Sequence, residues 1–255
     1  MNTQSLLSLK RIYLLIRRYI TLNAKATLIA LGGISGFLLL IILVQTYASG
    51  QVIYSGFVKT FWAIFFFGGF ILTSRIFHEL HSPEKSYQYL SLPASTLEKF
   101  LSRWLLSSLI YMVVTFLVLG LIGLLGGGLG AGLFGVQFHP LNPLQLDFIQ
   151  LAGTYWVMQS VFLLGACHFR GHNFLKTLLA LFLIGVFIAI FTSLMTKFIM
   201  AGQWPEHGGF EPEYFQQVPA FFTVTLPAIA KTFFWYLMAP FFLIVSYFKL
   251  KERQV

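Results

Sequence analysis

The feature that most constrains the fold is a series of long apolar runs, each about 20 residues long with few charges. A helix of about 20 apolar residues crosses the roughly 30 Å of a bilayer's hydrocarbon, and only helices or closed barrels satisfy their backbone there. The residues are 57% hydrophobic and only 10% charged, and no run alternates as barrel strands do. We therefore predict an all-α membrane protein. Six spans are predicted: Ala26–Tyr47, Phe57–Phe77, Trp104–Leu125, Phe148–Cys167, Leu178–Met200 and Ala228–Phe248.

The N-terminal segment, residues 1–25, is too charged to span a membrane. Its Lys and Arg residues alternate with leucines and isoleucines, a pattern typical of a helix lying in the membrane interface. A frayed basic leader is the alternative. The first span begins too late, and is too long, for a cleaved signal peptide. The predicted organisation is an interfacial helix over 1–25, a six-helix membrane domain over 26–248 and a cytoplasmic tail over 249–255.

The basic residues predict the orientation. Lys and Arg collect on the cytoplasmic side of membrane proteins. Fourteen of the 17 Lys and Arg fall before the first span, in the loops after the second and fourth spans, or in the tail. The exceptions are Lys59, Lys197 and Lys231. Both termini are therefore predicted to be cytoplasmic, and the net charge of +9 is explained by topology and anionic lipids, without nucleic-acid binding.

Several features interrupt or join the spans. Gly32 and Gly36, Gly123 and Gly127, and Gly128 and Gly132 have the spacing that allows close helix approach. The run from Gly126 to Gly132 is predicted to end the third helix. Residues 201–227 are polar and then apolar, which fits either a re-entrant hairpin or a plain interfacial loop. Pro240 is predicted to remove one backbone bond and kink the last span.

The sequence contains few residues that could support chemistry within the membrane. His78 and His81 are three apart, whereas the zinc-protease motif needs histidines four apart. His168 and His172 have that spacing but flank Gly171, which favours a cytoplasmic turn. Cys167 is predicted to be a buried structural residue. No Asp or Glu lies in the middle of a span, which disfavours ion-driven transport, and no phosphate-binding Gly-Lys-Ser/Thr occurs.

The cytoplasmic loop between the second and third spans carries the strongest local signal. Ser95 and Glu98 have the Ser-x-x-Glu spacing of a capping box, which starts a helix by satisfying its first N–H groups. Pro93 ends any helix arriving from the preceding side. The residues before it, FHELHSPEKSYQYLSL, place Tyr87 and Tyr89 among mixed charges, and exposed aromatic residues of this kind indicate a docking surface.

The chain resembles the ABC-2 family of ATP-binding-cassette transporter permeases. The resemblance rests on six spans with both ends inside, an N-terminal interfacial helix, the SYFKLKER exit and a loop ending in L-x-L-P-x-S-x-x-E-K-F. It implies a bacterial inner-membrane exporter subunit, a coupling contact with a separate ATPase, a second permease chain and a hairpin before the last span. This chain would be no enzyme and hold no cofactor, because ATP and Mg would bind the partner. The implied coupling residues are Glu79, Glu84, Lys85, Tyr87 and Tyr89, with Pro93, Ser95 and Glu98 as the helix cap.

The same residues are compatible with two other functions. The same loop could dock a cytoplasmic partner on a non-transporting membrane scaffold or sensor subunit. The chain could also be the substrate-binding subunit of an importer. The cargo is not determined by the residues, since phenylalanine in spans commonly faces lipid or fills the core.

Overall fold

The computed structural model describes residues 7–81, 83–138, 140–141, 148–199 and 221–253, apart from the side chains of a few of them. These residues form helices joined by short turns and contain no strand. The helices are α1 (Leu9–Ser49), α2 (Ser55–Arg75), α3 (His78–His81), α4 (Pro83–Leu90), α5 (Thr96–Leu105), the π-helical turn π1 (Leu106–Ile110), α6 (Tyr111–Phe134), α7 (Phe148–His168), α8 (Asn173–Ile199), π2 (Phe221–Thr225), α9 (Leu226–Thr232), π3 (Phe233–Met238) and α10 (Ala239–Glu252).

Helix α1 differs from its prediction. It runs without interruption for 41 residues, so within residues 9–49 the segment predicted to lie in the interface and the first predicted span form one helix, with no turn near residue 25. The physical reason is that neither Gly nor Pro occurs between residues 9 and 31, so nothing in the sequence stops the helix. At 1.5 Å per residue α1 is about 60 Å long, roughly twice the hydrocarbon thickness. It ends at Gly50, which adopts a left-handed φ of 67°.

Five helical stretches are long and apolar enough to cross a membrane: Leu9–Ser49, Ser55–Leu80, Thr96–Phe134, Asn173–Met195 and Leu226–Glu252. They contain four of the six predicted spans, and Asn173–Met195 covers residues 178–195 of a fifth, Leu178–Met200. The other predicted span, Phe148–Cys167, lies in the 21-residue helix α7, which is not one of these five stretches. Tyr155, Gln159 and Ser160 are fully buried in it. Helix α7 packs against α2, α8 and α10, so its polar residues face the interior of the bundle.

The glycines of α6 pack a helix face and do not end the helix, which corrects the prediction for Gly126–Gly132. The helix continues to Phe134, and Gly135 ends it with a φ of 66°. A Cβ on Gly126 would lie 2.6 Å from Ile42 Cδ1, and one on Gly130 would lie 3.1 Å from Thr46 Cγ2. These glycines therefore let α6 approach α1 closely, whereas Gly128 has open space beside it.

Two hydrophobic cores lie along the bundle. The larger is rich in aromatic residues of α2, α6 and α7, with Phe65 and Tyr155 at a ring-centroid distance of 4.7 Å. The second joins the end of α2, α5, π1, the end of α7 and the end of α10; its buried members are Ile76, Phe77, Phe100, Leu106, Leu163, Ala166, Cys167 and Leu250. The helix ends that carry most of the basic residues therefore meet at one end of the bundle, which we call the basic end.

The last helical stretch changes its hydrogen bonding just before Pro240. Residues Phe233–Met238 form π3, and Pro240 lies at the start of α10. Proline has no backbone N–H and is tolerated in the first turn of an α-helix. Pro240 occupies such a position, directly after the irregular turn π3. The predicted re-entrant hairpin falls mainly on residues 201–220, which lie outside the described residues.

Candidate coupling site at the basic end

The capping box at the start of α5 is present. Ser95 has an extended backbone, and its hydroxyl accepts a hydrogen bond from the Glu98 N–H at 3.2 Å. The Glu98 carboxylate in turn accepts from the Ser95 N–H at 2.8 Å. Pro93 is exposed in the turn that precedes this cap. The capping box therefore fixes the start of α5 at Thr96, before the most apolar residues of the Thr96–Phe134 stretch.

The same carboxylate also binds the beginning of α1. Glu98 Oε1 accepts from the Ser8 N–H at 2.7 Å, and Glu98 Oε2 lies 3.5 Å from Arg11 Nη1. Ser8 is the residue that caps α1. The Glu98 side chain is completely buried, and a buried carboxylate requires such donors to remain ionised. One acidic side chain thus joins the starts of two helices.

A second carboxylate joins α3 to α1 and α5. Glu79 Oε2 lies 3.0 Å from Arg103 Nη2 and 3.3 Å from Arg18 Nη1. The Arg103 side chain is nearly buried, with 5% of its surface exposed, whereas Arg18 is 31% exposed. The Arg103 contact is therefore less screened by solvent than the Arg18 contact. We call Arg11, Arg18, Glu79, Glu98 and Arg103 the charged network.

Tyr89 is part of the interior, which contradicts the prediction that it is exposed. Only 2% of its surface is accessible. The Lys99 ammonium lies 5.3 Å from the centre of its ring, and the Arg103 guanidinium lies 5.6 Å from it. Burial raises the pKa of the Tyr89 hydroxyl to about 12, although the neighbouring Arg103 acts in the opposite direction. Tyr89 therefore anchors α4 to α5.

Tyr87 faces the opposite way. Residues two apart on a helix lie on nearly opposite faces, so burying Tyr89 turns Tyr87 outward. Tyr87 is 78% exposed, and the neighbouring Leu90 is 42% exposed. We call Tyr87 and Leu90 the exposed face of α4. Glu84 and Lys85 also belong to α4, but their side chains lie outside the described residues.

The predicted coupling residues thus divide into two groups. Glu79 joins α3 to α1 and α5, and Tyr89 anchors α4 to α5, while Tyr87 is exposed. Arg11 and Arg18 were not recognised as part of this site from the sequence. Arg11 and Glu98 are 87 positions apart, and Arg18 and Glu79 are 61 apart. Pairing at such separations depends on the tertiary fold and leaves no local spacing signal.

The turn between α7 and α8 also lies at the basic end. Gly171 has a φ of 70° and His172 a φ of 50°, and His168 and His172 are both exposed, as expected for a turn. Arg253, beyond the end of α10, donates a hydrogen bond to the His168 carbonyl, so the C-terminal segment caps the end of α7. Burial, with a smaller effect of Arg170, lowers the pKa of Arg253. Within the described ranges, no three His, Cys, Asp or Glu side chains lie close enough to hold a metal ion.

Comparison of the chain with protein-family models, with curated proteins and with solved structures finds no match.

Proposed function

We propose that this chain is the membrane-spanning subunit of an ATP-driven exporter of the ABC-2 type. In this proposal the α3–α5 segment docks on a separate ATPase subunit that binds ATP and Mg, and a second permease chain completes the translocation path. The chain would lie in a bacterial inner membrane with both termini in the cytoplasm. This chain itself would hydrolyse nothing.

The observation that carries the proposal is the arrangement of the α3–α5 segment. Two carboxylates, Glu79 and Glu98, fix this segment to α1, and its exposed face presents Tyr87 at 78% exposure. Aromatic side chains on a rigid support are the usual anchors of protein interfaces. An ordinary loop between two spans would need neither the fixed support nor the exposed tyrosine.

The positions of the basic residues support the predicted orientation. The beginning of α1, the ends of α2, α7 and α10 and the start of α5 all meet at the basic end. The positive-inside rule would put that end in the cytoplasm, where a soluble ATPase could reach the exposed face of α4.

The proposal is tested by isolating the complex. The tagged chain is extracted from its native membrane in mild detergent, and the co-purified material is assayed for MgATP hydrolysis and for a subunit with a phosphate-binding loop. We expect a stoichiometric ATPase subunit. Recovery of a partner without ATPase activity would favour the scaffold or sensor function.

A point substitution then tests the docking surface. Tyr87→Ala should reduce recovery of the ATPase by at least about tenfold, since interface anchors contribute about 2 kcal/mol or more. The matched control is Tyr47→Ala, because Tyr47 is 75% exposed but lies near the end of α1 farthest from the charged network. Equal recovery with both variants would show that α4 is not the docking surface.

A further inference from the structure

The helix that contains α5 and α6 is interrupted by a π-helical turn, Leu106–Ile110. In such a turn the N–H groups donate five residues back instead of four. The Tyr111 N–H accordingly donates to the carbonyls of Leu106 and Ser108. In a regular α-helix it would donate to Ser107, so this carbonyl has lost its usual partner.

Helix α7 supplies a replacement partner. The Tyr155 hydroxyl donates to the Ser107 carbonyl at 2.7 Å, and Gln159 Nε2, one turn further along α7, donates to Ser107 Oγ at 2.8 Å. All three side chains are completely buried. A buried carbonyl without a partner is costly, so the Tyr155 hydroxyl stabilises the π-helical turn directly.

The turn separates two differently anchored halves of the helix. On one side, α5 is held to α1 and α3 through Glu98 and Arg103 of the charged network. On the other side, α6 packs on the far half of α1 through Gly126 and Gly130. A change of hydrogen bonding at π1 would therefore turn α5 relative to α6 without disturbing the glycine contact.

We propose that π1 is a hinge and that Tyr155 holds it in the state seen here. When the Tyr155 hydroxyl leaves, Ser107 recovers the Tyr111 N–H and the turn becomes α-helical. A π-helical turn holds one residue more than an α-helical turn, and this residue is then added to the α5 side. As a result α5 rotates by about 100° relative to α6 and moves about 1.5 Å along the helix axis.

This rotation would separate Glu98 and Arg103 from their partners on α1 and α3. Because α4 directly precedes α5 in the chain, the rotation would also move the exposed face of α4. The use of this movement in coupling rests on the proposed function, whereas the hinge itself does not.

The test measures whether α5 turns, using Ser102, which lies on α5 and is only 2% exposed. A cysteine at Ser102 is labelled with a maleimide in the purified chain in lipid nanodiscs, without any ATPase. We expect Tyr155→Phe to accelerate labelling by at least about tenfold, corresponding to the loss of one buried hydrogen bond.

The matched control is Tyr111→Phe. The Tyr111 hydroxyl also donates to a backbone carbonyl, that of Phe65, at 2.8 Å. Phe65 belongs to α2 and lies outside the π-helical turn, so the labelling rate should stay within about twofold of the parent. The parent chain without the Ser102 substitution gives the background from Cys167, which is buried.

Deletion of Leu109 separates a hinge from general loosening. The deletion shortens π1 to a regular turn and brings the Met112 N–H to the Ser107 carbonyl, so the Tyr155 hydroxyl is no longer needed. Tyr155→Phe should then leave Ser102 labelling unchanged. Gln159→Leu, which removes the second contact to Ser107, replaces Tyr155→Phe if that variant fails to insert, and it should also accelerate labelling.

Unchanged labelling with both α7 variants would overturn the hinge. Acceleration that persists in the Leu109 deletion would overturn it as well. Neither result would bear on ATPase docking, which is measured separately through Tyr87.

Discussion

The Glu98 carboxylate accepts a hydrogen bond from the Ser8 N–H at 2.7 Å, although these residues are 90 positions apart. Glu98 also completes the cap of α5 with Ser95. The start of the longest helix and the start of α5 are therefore held by one buried acidic group. Local helix capping and tertiary structure depend on the same side chain.

Because of this double role, substitution of Glu98 is expected to lower the free energy of unfolding more than substitution of Ser95. Ser95→Ala should lower the free energy of unfolding by about 0.5–2 kcal/mol, the usual cost of a lost N-cap. Glu98→Gln should cost about 3 kcal/mol, because its amide cannot accept from the Ser8 and Ser95 N–H groups and pair with Arg11 at once. Denaturant unfolding in mixed micelles measures both. Equal losses would mean that the contact with α1 contributes nothing.

Glu252 provides the control for that comparison. It pairs with Lys249 at 2.7 Å, but its side chain is 63% exposed. Exposed pairs contribute about 0–1 kcal/mol. Glu252→Gln should therefore leave the unfolding midpoint nearly unchanged.

The two arginines that share Glu79 should differ in their contributions. Arg103 is 5% exposed, so Arg103→Ala should cost about 1.5–3 kcal/mol, because the partly buried Glu79 carboxylate loses its closer charged donor and keeps only Arg18. Arg18 is 31% exposed, so Arg18→Ala should cost no more than about 1 kcal/mol.

High salt provides a second measurement on the same pair. Raising the ionic strength should weaken the Arg18 contact more than the Arg103 contact, because screening acts mainly on exposed charges. A larger loss for Arg18→Ala than for Arg103→Ala would contradict this assignment.

The glycines of α6 give a prediction with an internal control. Gly126→Ala should destabilise the chain by about 1–3 kcal/mol, since its Cβ would meet the buried Ile42 and force the helices apart. Gly128→Ala places a methyl group in open space and should be neutral or slightly stabilising, by up to about 1 kcal/mol from helix propensity. Unfolding measurements on both variants test the packing of α1 on α6. Similar values would show that α6 does not approach α1 through this face.

Much of the fold was predictable from the sequence, because a long apolar run is a strong local signal of a membrane-spanning helix. Four of the predicted spans lie within helical stretches that are long and apolar enough to cross a membrane, and most of a fifth does. The capping box was also predictable, since Ser95 and Glu98 are three residues apart. The boundary predicted between residues 25 and 26 does not interrupt α1, because amphipathic patterning shows which face is polar but does not show where a helix bends.

The charged network and the buried position of Tyr89 were not accessible in the same way. They depend on contacts between α1 and the α3–α5 segment, which come together only in the folded chain. Alternating polar and aromatic residues in α4 indicated an exposed surface. The way in which α4 packs on α5 decides that Tyr87 is exposed and Tyr89 is buried. The π-helical turn likewise has no distinctive residues of its own, and the hydrogen bond to its Ser107 carbonyl comes from Tyr155 on another helix.

The last prediction concerns orientation. Single cysteines are introduced at exposed positions in a Cys167→Ser background and labelled in intact cells with an impermeant thiol reagent. Ser49 and Gln137 lie near the ends of α1 and α6 away from the basic end, and Tyr87 lies at the basic end. Gln137 is chosen over Gly135, whose φ of 66° would strain a cysteine.

Because Lys and Arg are retained on the cytoplasmic side, cysteines at Ser49 and Gln137 should react from outside. A cysteine at Tyr87 should react only after the membrane is permeabilised, which also shows that it is accessible in the folded chain. Labelling of Tyr87→Cys in intact cells would place the basic end outside. The exposed face of α4 would then be beyond the reach of a cytoplasmic ATPase, and the proposed function would fail with it.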